Sequence, residues 1–306
     1  AWAEAGAGGV GGGELSHVAL PAQRAWKLAV LREAFERFAG QEFPGEVQAA
    51  PGDDTRAGLG WRTRVEAVAD AEGRAAMHVH RSRELRRLEA MPLAVPEAEE
   101  ALLSQRFPGG SRIAVIAPSD SEVRVVVDGA PWRHGRADRR PNAPRAVHER
   151  VLVGGREWRY RLDVEGFWQV HREAPGVLVD EVLSRVGTAD RVADLYAGAG
   201  LFSVPLADAA REVVAVETDP RGARAARRNA HALPQGDVLQ ADVRRRLEAG
   251  LGAIDAVVLD PPRSGAGRRT VEALAAVGAE RIVYVACDPV ALARDTGLLA
   301  EQGYRL

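Results

Sequence analysis

The chain has 306 residues, 46% of them hydrophobic and 27% charged, which argues against disorder, collagen-like repetition and a coiled coil. A formal net charge of −2 gives no global basic field, so any nucleic-acid binding must come from local patches. One cysteine, Cys287, excludes an internal disulfide framework and any cysteine-cluster metal site. No apolar run reaches the ~18 residues of a membrane span. Residues 1–13 lack the cationic head and apolar core of a secretory signal, so a cytoplasmic protein is expected. The chain opens on Ala rather than Met, as a sequence beginning inside a longer one would.

Residues 1–60 read as a lead-in, a helix and a linker. The first fourteen are Gly-rich and expected to be flexible. Pro21 to Ala39 carries Ala25, Leu28, Leu31, Phe35 and Phe38 at three- and four-residue steps, with Gly40 as a stop, which predicts a helix. Pro44, Gly45, Pro51, Gly52, Gly58 and Gly60 then mark a loop. Residues 61–161 hold short alternating segments, WRTRVEAVAD, RIAVIAPS, EVRVVVDG and RVLVGG, between turn signals, which predicts a smaller α+β domain with antiparallel pairing. Its loop from Trp132 to Arg145 has five Arg and one acid, and is either a phosphate contact or a solvated surface loop. Trp61, Trp132 and Trp158 are read as packing residues.

From about residue 162 to 306 the style changes. VADLY, EVVAVE, AIDAVVLD and RIVYVAC are apolar runs of strand length without alternation, the form of a doubly wound, mostly parallel sheet in an α/β domain. Asp194-Leu-Tyr-Ala-Gly198-Ala-Gly200-Leu-Phe follows the first strand. Glycines there allow a tight turn and close approach of a ligand, although an ordinary strand-to-helix turn uses them too. Glu217, at the next strand's end, is placed to accept both hydroxyls of a ribose. The loop lacks the third glycine of a dinucleotide site, so a nucleoside with an amino-acid tail fits better. Asp242 is either an adenine contact or the N-cap of the helix VRRRLEAG. Asp260-Pro-Pro-Arg263 leaves a strand rigidly over the same crevice. Cys287 ends the next strand, as a buried inert thiol or as a nucleophile.

DLYAGAGLF, VVAVE, LDPPRSG and YVACDP…LARD, in that order, with GFWQVH at Gly166 to His171, resemble the S-adenosylmethionine-dependent RNA 5-methyluridine methyltransferases. The resemblance is dense over 162–306 and thinner over GGELSHVALPAQRAWK. It implies a Rossmann-like class I methyltransferase domain that binds S-adenosyl-L-methionine. It implies contacts to that cofactor at Gln169, Tyr196, Gly198, Gly200, Leu201, Glu217, Asp242 and Asp260, with Leu201 limited to apolar or backbone contact. It also implies Cys287 as the catalytic nucleophile and RNA, ribosomal or transfer, as the partner; no protein partner is expected.

Two departures stand out. The family's general base is a Glu beyond the cysteine motif, which this sequence does not reach, so truncation at both ends is expected. Members with an iron–sulfur cluster have closely spaced cysteines before the His17 region; Val10 and Gly13 stand there, so no cluster and no metal are expected. The family's N-terminal β-barrel RNA-binding domain is likewise not seen. The rival readings are a non-catalytic RNA- or nucleoside-binding homologue and an RNA N-methyltransferase that does not use the cysteine.

Overall fold

The computed structural model describes residues 2–6, 8–231 and 236–306. Two compact units divide the chain. The first takes residues 1–24, 49–150 and 161–174; the second takes 25–48, 151–160 and 175–306. Both are therefore discontinuous in sequence, and among the described residues no helix is long and apolar enough to cross a membrane.

Helix α1 (Leu20–Ala39) opens the regular structure and runs from the first unit into the second. Only part of its apolar spacing is buried. Phe35 is fully enclosed beside Phe43, with ring centroids 4.9 Å apart, and against Ala293, whereas Phe38 is exposed with Arg37 stacked over its ring.

The first unit is built on β1 (Arg64–Ala69), β2 (Ala75–His78), β3 (Leu85–Arg87), α2 (Pro96–Leu103), β4 (Arg112–Ile116), β5 (Arg124–Val127), β6 (Ala130–Arg133) and β7 (Arg136–Ala137). These strands form an antiparallel sheet in the order β3-β2-β1-β4-β5-β6-β7, matching the alternation read in the sequence. Val65, Ala67 and Ala69 of β1 face the core with Ile113 and Val115 of β4, while Glu66 faces out. The expected flexible lead-in differs. Ala1 and Ala7 lie outside the described residues, but Trp2, Ala5 and Val10 are buried in this core, and Val10 bridges to Val79. An indole and a valine bury enough apolar surface to pin a glycine-rich segment. Within the Arg-rich loop, Arg140 forks onto Asp138, so one of its charges is already answered.

β8 (Ala146–Val153) and β9 (Arg156–Asp163) form a hairpin through Gly154 and Gly155, both at positive φ as a two-residue turn needs. The second unit continues with α3 (Ala174–Val186), β10 (Arg191–Leu195), α4 (Ser203–Ala209), β11 (Glu212–Glu217), α5 (Pro220–Asn229), β12 (Gly236–Gln240), α6 (Val243–Glu248), β13 (Ala256–Leu259), α7 (Arg268–Ala275), β14 (Arg281–Tyr284) and α8 (Pro289–Glu301). Its strands are all parallel, in the order β12-β11-β10-β13-β14. Ala193, Leu195, Val214, Val216, Val257 and Leu259 pack on the face covered by α6, α7 and α8. Val192, Asp194, Val213, Ala215 and Val258, which alternate with them, are buried too. Strands covered on both faces explain the unbroken apolar runs of the sequence. The strand order reverses between β10 and β13, the place where a crevice opens at the carboxyl ends of such a sheet.

Candidate active site

Register fixes what lies at that edge. Leu195 pairs with Val216 and with Leu259, and Leu259 pairs with Tyr284. Tyr196, Glu217, Asp260 and Cys287 therefore all leave the sheet at its carboxyl end, carried by four strands that the sequence separates by up to ninety residues.

The loop after β10 is held by its neighbours rather than by its own length. The Gly198 N–H donates to Glu217 Oε2 at 2.7 Å, and the Asp219 N–H donates to Oε1 at 2.6 Å. Tyr196 sits at φ 62°, a left-handed conformation that costs a non-glycine residue, and Gly200 at φ 89°. A Cβ on Gly198 would meet nothing within 4 Å, so that backbone is open to a ligand. One on Gly222, at the start of α5, would stand 3.0 Å from Glu217 Cγ and 3.2 Å from the Gly198 carbonyl. Tyr196 packs on the α6–α7 face.

Three carboxylates crowd this edge. Asp194 is wholly buried, accepts the Ser203 hydroxyl at Oδ2, and has no hydrogen-bond partner at Oδ1. Burial, with the charges of Asp260 and Glu217 adding to it, pushes its carboxyl up to about 7. Burial alone pushes Asp260 up to about 6. Such an acidic cradle disfavours a pyrophosphate and suits a ligand that carries positive charge beside hydroxyl donors. S-adenosylmethionine, with its sulfonium, its ammonium and its ribose hydroxyls, meets that requirement.

The segment after Asp260 is clamped from α8. Asp295, fully buried, accepts the Ala266 N–H at 2.6 Å, the Gly267 N–H at 3.2 Å and the Tyr284 hydroxyl at 2.7 Å, while Arg294 reaches its other oxygen. Arg294 also donates to the Ser264 carbonyl at 2.7 Å. The sequence reading passed over this clamp. Its signal was an acid on the buried stripe of α8, between Ala291 and Leu298. Cys287 lies three residues past β14 and is exposed, and Asp288 behind it caps α8 by accepting the Ala291 N–H at 2.8 Å.

Other residues fall differently. Asp242 caps α6, accepting the Arg245 N–H at 2.9 Å, the second of its two readings. The Leu201 side chain is buried, and its carbonyl accepts the Tyr160 hydroxyl at 3.0 Å, which anchors the loop. Gln169 belongs to the first unit, half-buried in the connection after β9.

Comparison with known proteins identifies the family and the fold. The TRM5/TYW2 methyltransferase domain matches residues 158–291. An uncharacterized RNA methyltransferase of Bifidobacterium longum is 36% identical across 98% of this chain and 74% of its own length. The 23S rRNA (uracil(1939)-C(5))-methyltransferase RlmD of Pseudomonas fluorescens is 33% identical across 98% of this chain and 74% of its own. The tRNA (uracil-54, C5)-methyltransferase of Pyrococcus abyssi, solved with S-adenosyl-L-homocysteine, superposes with a TM-score of 0.70 over 90% of this chain and 77% of that one. At 20% identity that likeness establishes the fold, Rossmann-like in the second unit. The chain belongs to the RNA 5-methyluridine (uracil-C5) methyltransferase family and is an S-adenosylmethionine-dependent RNA methyltransferase.

Proposed function

We propose that the protein methylates C5 of a uridine in structured RNA, ribosomal or transfer, through a covalent bond between Cys287 and C6, in the cytoplasm. The observation that carries this reading is the exit of Cys287 and Asp260 from adjacent strands at the edge that also bears the Gly198 loop.

C5 of uracil is too weak a nucleophile to be methylated unaided. The Cys287 thiolate adds to C6, and the electrons of the C5–C6 double bond move onto C5 and the neighbouring carbonyl. S-adenosylmethionine, when bound, supplies the methyl group that this carbon takes up. Removal of the C5 proton by a base then restores the double bond and expels the thiolate. Glu217 and the backbone around Gly198 would hold the nucleoside end of the cofactor. Asp260, half-buried and rigidly followed by two prolines, would position groups at the reacting centre. A stacked uridine must first be turned out of its helix, which favours loops and other accessible strands as targets.

Incubation with methyl-labelled cofactor and cellular RNA, followed by digestion to nucleosides, tests the reading. The label is expected in 5-methyluridine and is expected to vanish with Cys287→Ala. Label in an N-methylated base, undiminished by that substitution, would favour the N-methyltransferase alternative.

A further inference from the structure

Strand register puts three carboxylates on one face of the parallel sheet. Asp194 of β10 pairs with Ala215 of β11 and with Val258 of β13. Glu217 and Asp260 each stand two residues past those partners, so by strand alternation their side chains leave on the Asp194 face. Ser203 of α4 donates its hydroxyl to Asp194 Oδ2, and Tyr160 of β9 lies near enough for the Asp194 charge to act on its phenol. Ser203, Tyr160, Asp260 and Glu217 are the polar groups that act on Asp194 or feel its charge, and among the described residues none of them is basic.

The three acids are not equally provided for. Both Glu217 oxygens accept backbone N–H groups, from Gly198 and from Asp219. Asp194 is wholly buried, and its Oδ1 is enclosed without a hydrogen-bond partner. A bare oxygen there is far more costly in a carboxylate than in a neutral carboxylic acid. Asp260, half-buried one pleat nearer the edge, brings a like charge to the same face. Such a pair resists double ionisation, and its protons belong to both members together. Burial acts in the same direction on each, raising Asp194 to about 7 and Asp260 to about 6. A cation beside them would take over the proton's part. The adjoining loop leaves room for one, since a Cβ on Gly198 would meet nothing within 4 Å. S-adenosylmethionine carries a sulfonium and an ammonium, whereas S-adenosylhomocysteine carries the ammonium alone.

We propose that Asp194 and Asp260 share a proton in the cofactor-free protein, release it to solvent when S-adenosylmethionine binds, and take one back when the sulfonium becomes a thioether. The pair thereby favours the methyl donor over the spent product. Charge balances at each stage. One proton leaves as the sulfonium arrives. The S–C bonding pair stays on sulfur when the methyl group departs, which cancels the sulfonium charge, and one solvent proton restores the count. The proposal concerns the cofactor alone and depends neither on Cys287 nor on which base is methylated.

Calorimetric titration of the full chain with each of the two ligands, near pH 6 in phosphate and in imidazole buffer, measures it. The difference in heat between buffers counts the protons released. S-adenosylmethionine is expected to release about one proton, and S-adenosylhomocysteine less than about half as many. The S-adenosylmethionine Kd should rise at least about tenfold from pH 7.0 to pH 5.5, with a smaller rise for S-adenosylhomocysteine. Asp194→Asn, which keeps the shape and cannot ionise, should lose about half or more of the released proton. Equal release by the two ligands, or none by S-adenosylmethionine, overturns the proposal. Wild-type release in the folded Asp194→Asn chain overturns it as well. The two-ligand comparison uses the wild-type chain, so the proposal stays refutable even where the variant fails to fold. The expected proton counts in a chain that forms no 5-methyluridine support the pair and count against the uridine reading alone. Failure of either ligand to bind at any pH removes the cofactor and the proposal together.

Discussion

Gly198 donates its backbone N–H to the carboxylate of Glu217 at 2.7 Å, tying the loop after β10 to the end of β11. The acid assigned from sequence to a ribose thus has a second task, because both of its oxygens hold backbone, at Gly198 and at Asp219. Glutamine can accept at only one of those positions and turns an N–H₂ toward the other donor. Glu217→Gln is therefore expected to weaken cofactor binding at least about tenfold, near the value of a charge-assisted hydrogen bond. Calorimetric titration with S-adenosylmethionine checks it, and unchanged affinity would free Glu217 from both tasks.

Gly222 separates stability from binding. Alanine inside α5 should favour the helix by up to about 1 kcal/mol. Its Cβ, however, meets Glu217 Cγ at 3.0 Å and the Gly198 carbonyl at 3.2 Å. Gly222→Ala is expected to keep its unfolding midpoint while the cofactor Kd rises several-fold. Both are measurable on one preparation, by urea titration and by calorimetry.

Asp295 organises the segment between Asp260 and α7 without facing the crevice itself. Asn at that position loses an acceptor for Arg294 or for the Ala266, Gly267 and Tyr284 donors, all in a buried place. Asp295→Asn is expected to destabilise the chain by about 2–3 kcal/mol. Methyl transfer should fall further than the unfolding free energy explains, since the loop that follows Asp260 is released. An unfolding curve identical to wild type would contradict the clamp.

Acid should stabilise this fold. The Asp194 carboxyl is raised from 3.8 to about 7, so between those values the folded chain keeps a proton that the unfolded chain loses. Stability then falls as pH rises through that window and levels off above it. Asp260, raised to about 6, acts in the same direction. The urea midpoint is expected to be higher at pH 5 than at pH 8, and Asp194→Asn should remove most of the difference. A midpoint that rises with pH in the wild type would reverse the assignment.

The parallel sheet was legible because strands buried on both faces leave unbroken apolar runs, as AVVL of β13 does. The edge residues were legible because Glu217, Asp260 and Cys287 each end such a run. Roles that depend on a partner far along the chain were not. The grip of Asp295 on Ala266 spans 29 residues, and that of Tyr160 on the Leu201 carbonyl spans 41. Asp242 shows the limit of a local pattern, since an acid before a helix reads equally as cap and as ligand, and the cap it forms uses one carboxylate oxygen. The glycine-rich start misled for a related reason. Glycine content reports freedom of the backbone, whereas burial of Trp2 and Val10 against a distant sheet decides whether that freedom is used.

The central claim is the bond between Cys287 and a uracil ring. Fluorine at C5 cannot leave as a proton does, so RNA carrying 5-fluorouridine holds the adduct after methyl transfer. The protein incubated with that RNA and S-adenosylmethionine is expected to give a complex that survives a denaturing gel, with the RNA attached at Cys287 and absent in Cys287→Ala. Full 5-methyluridine formation by Cys287→Ala, with no denaturation-resistant complex from the wild type, would contradict it.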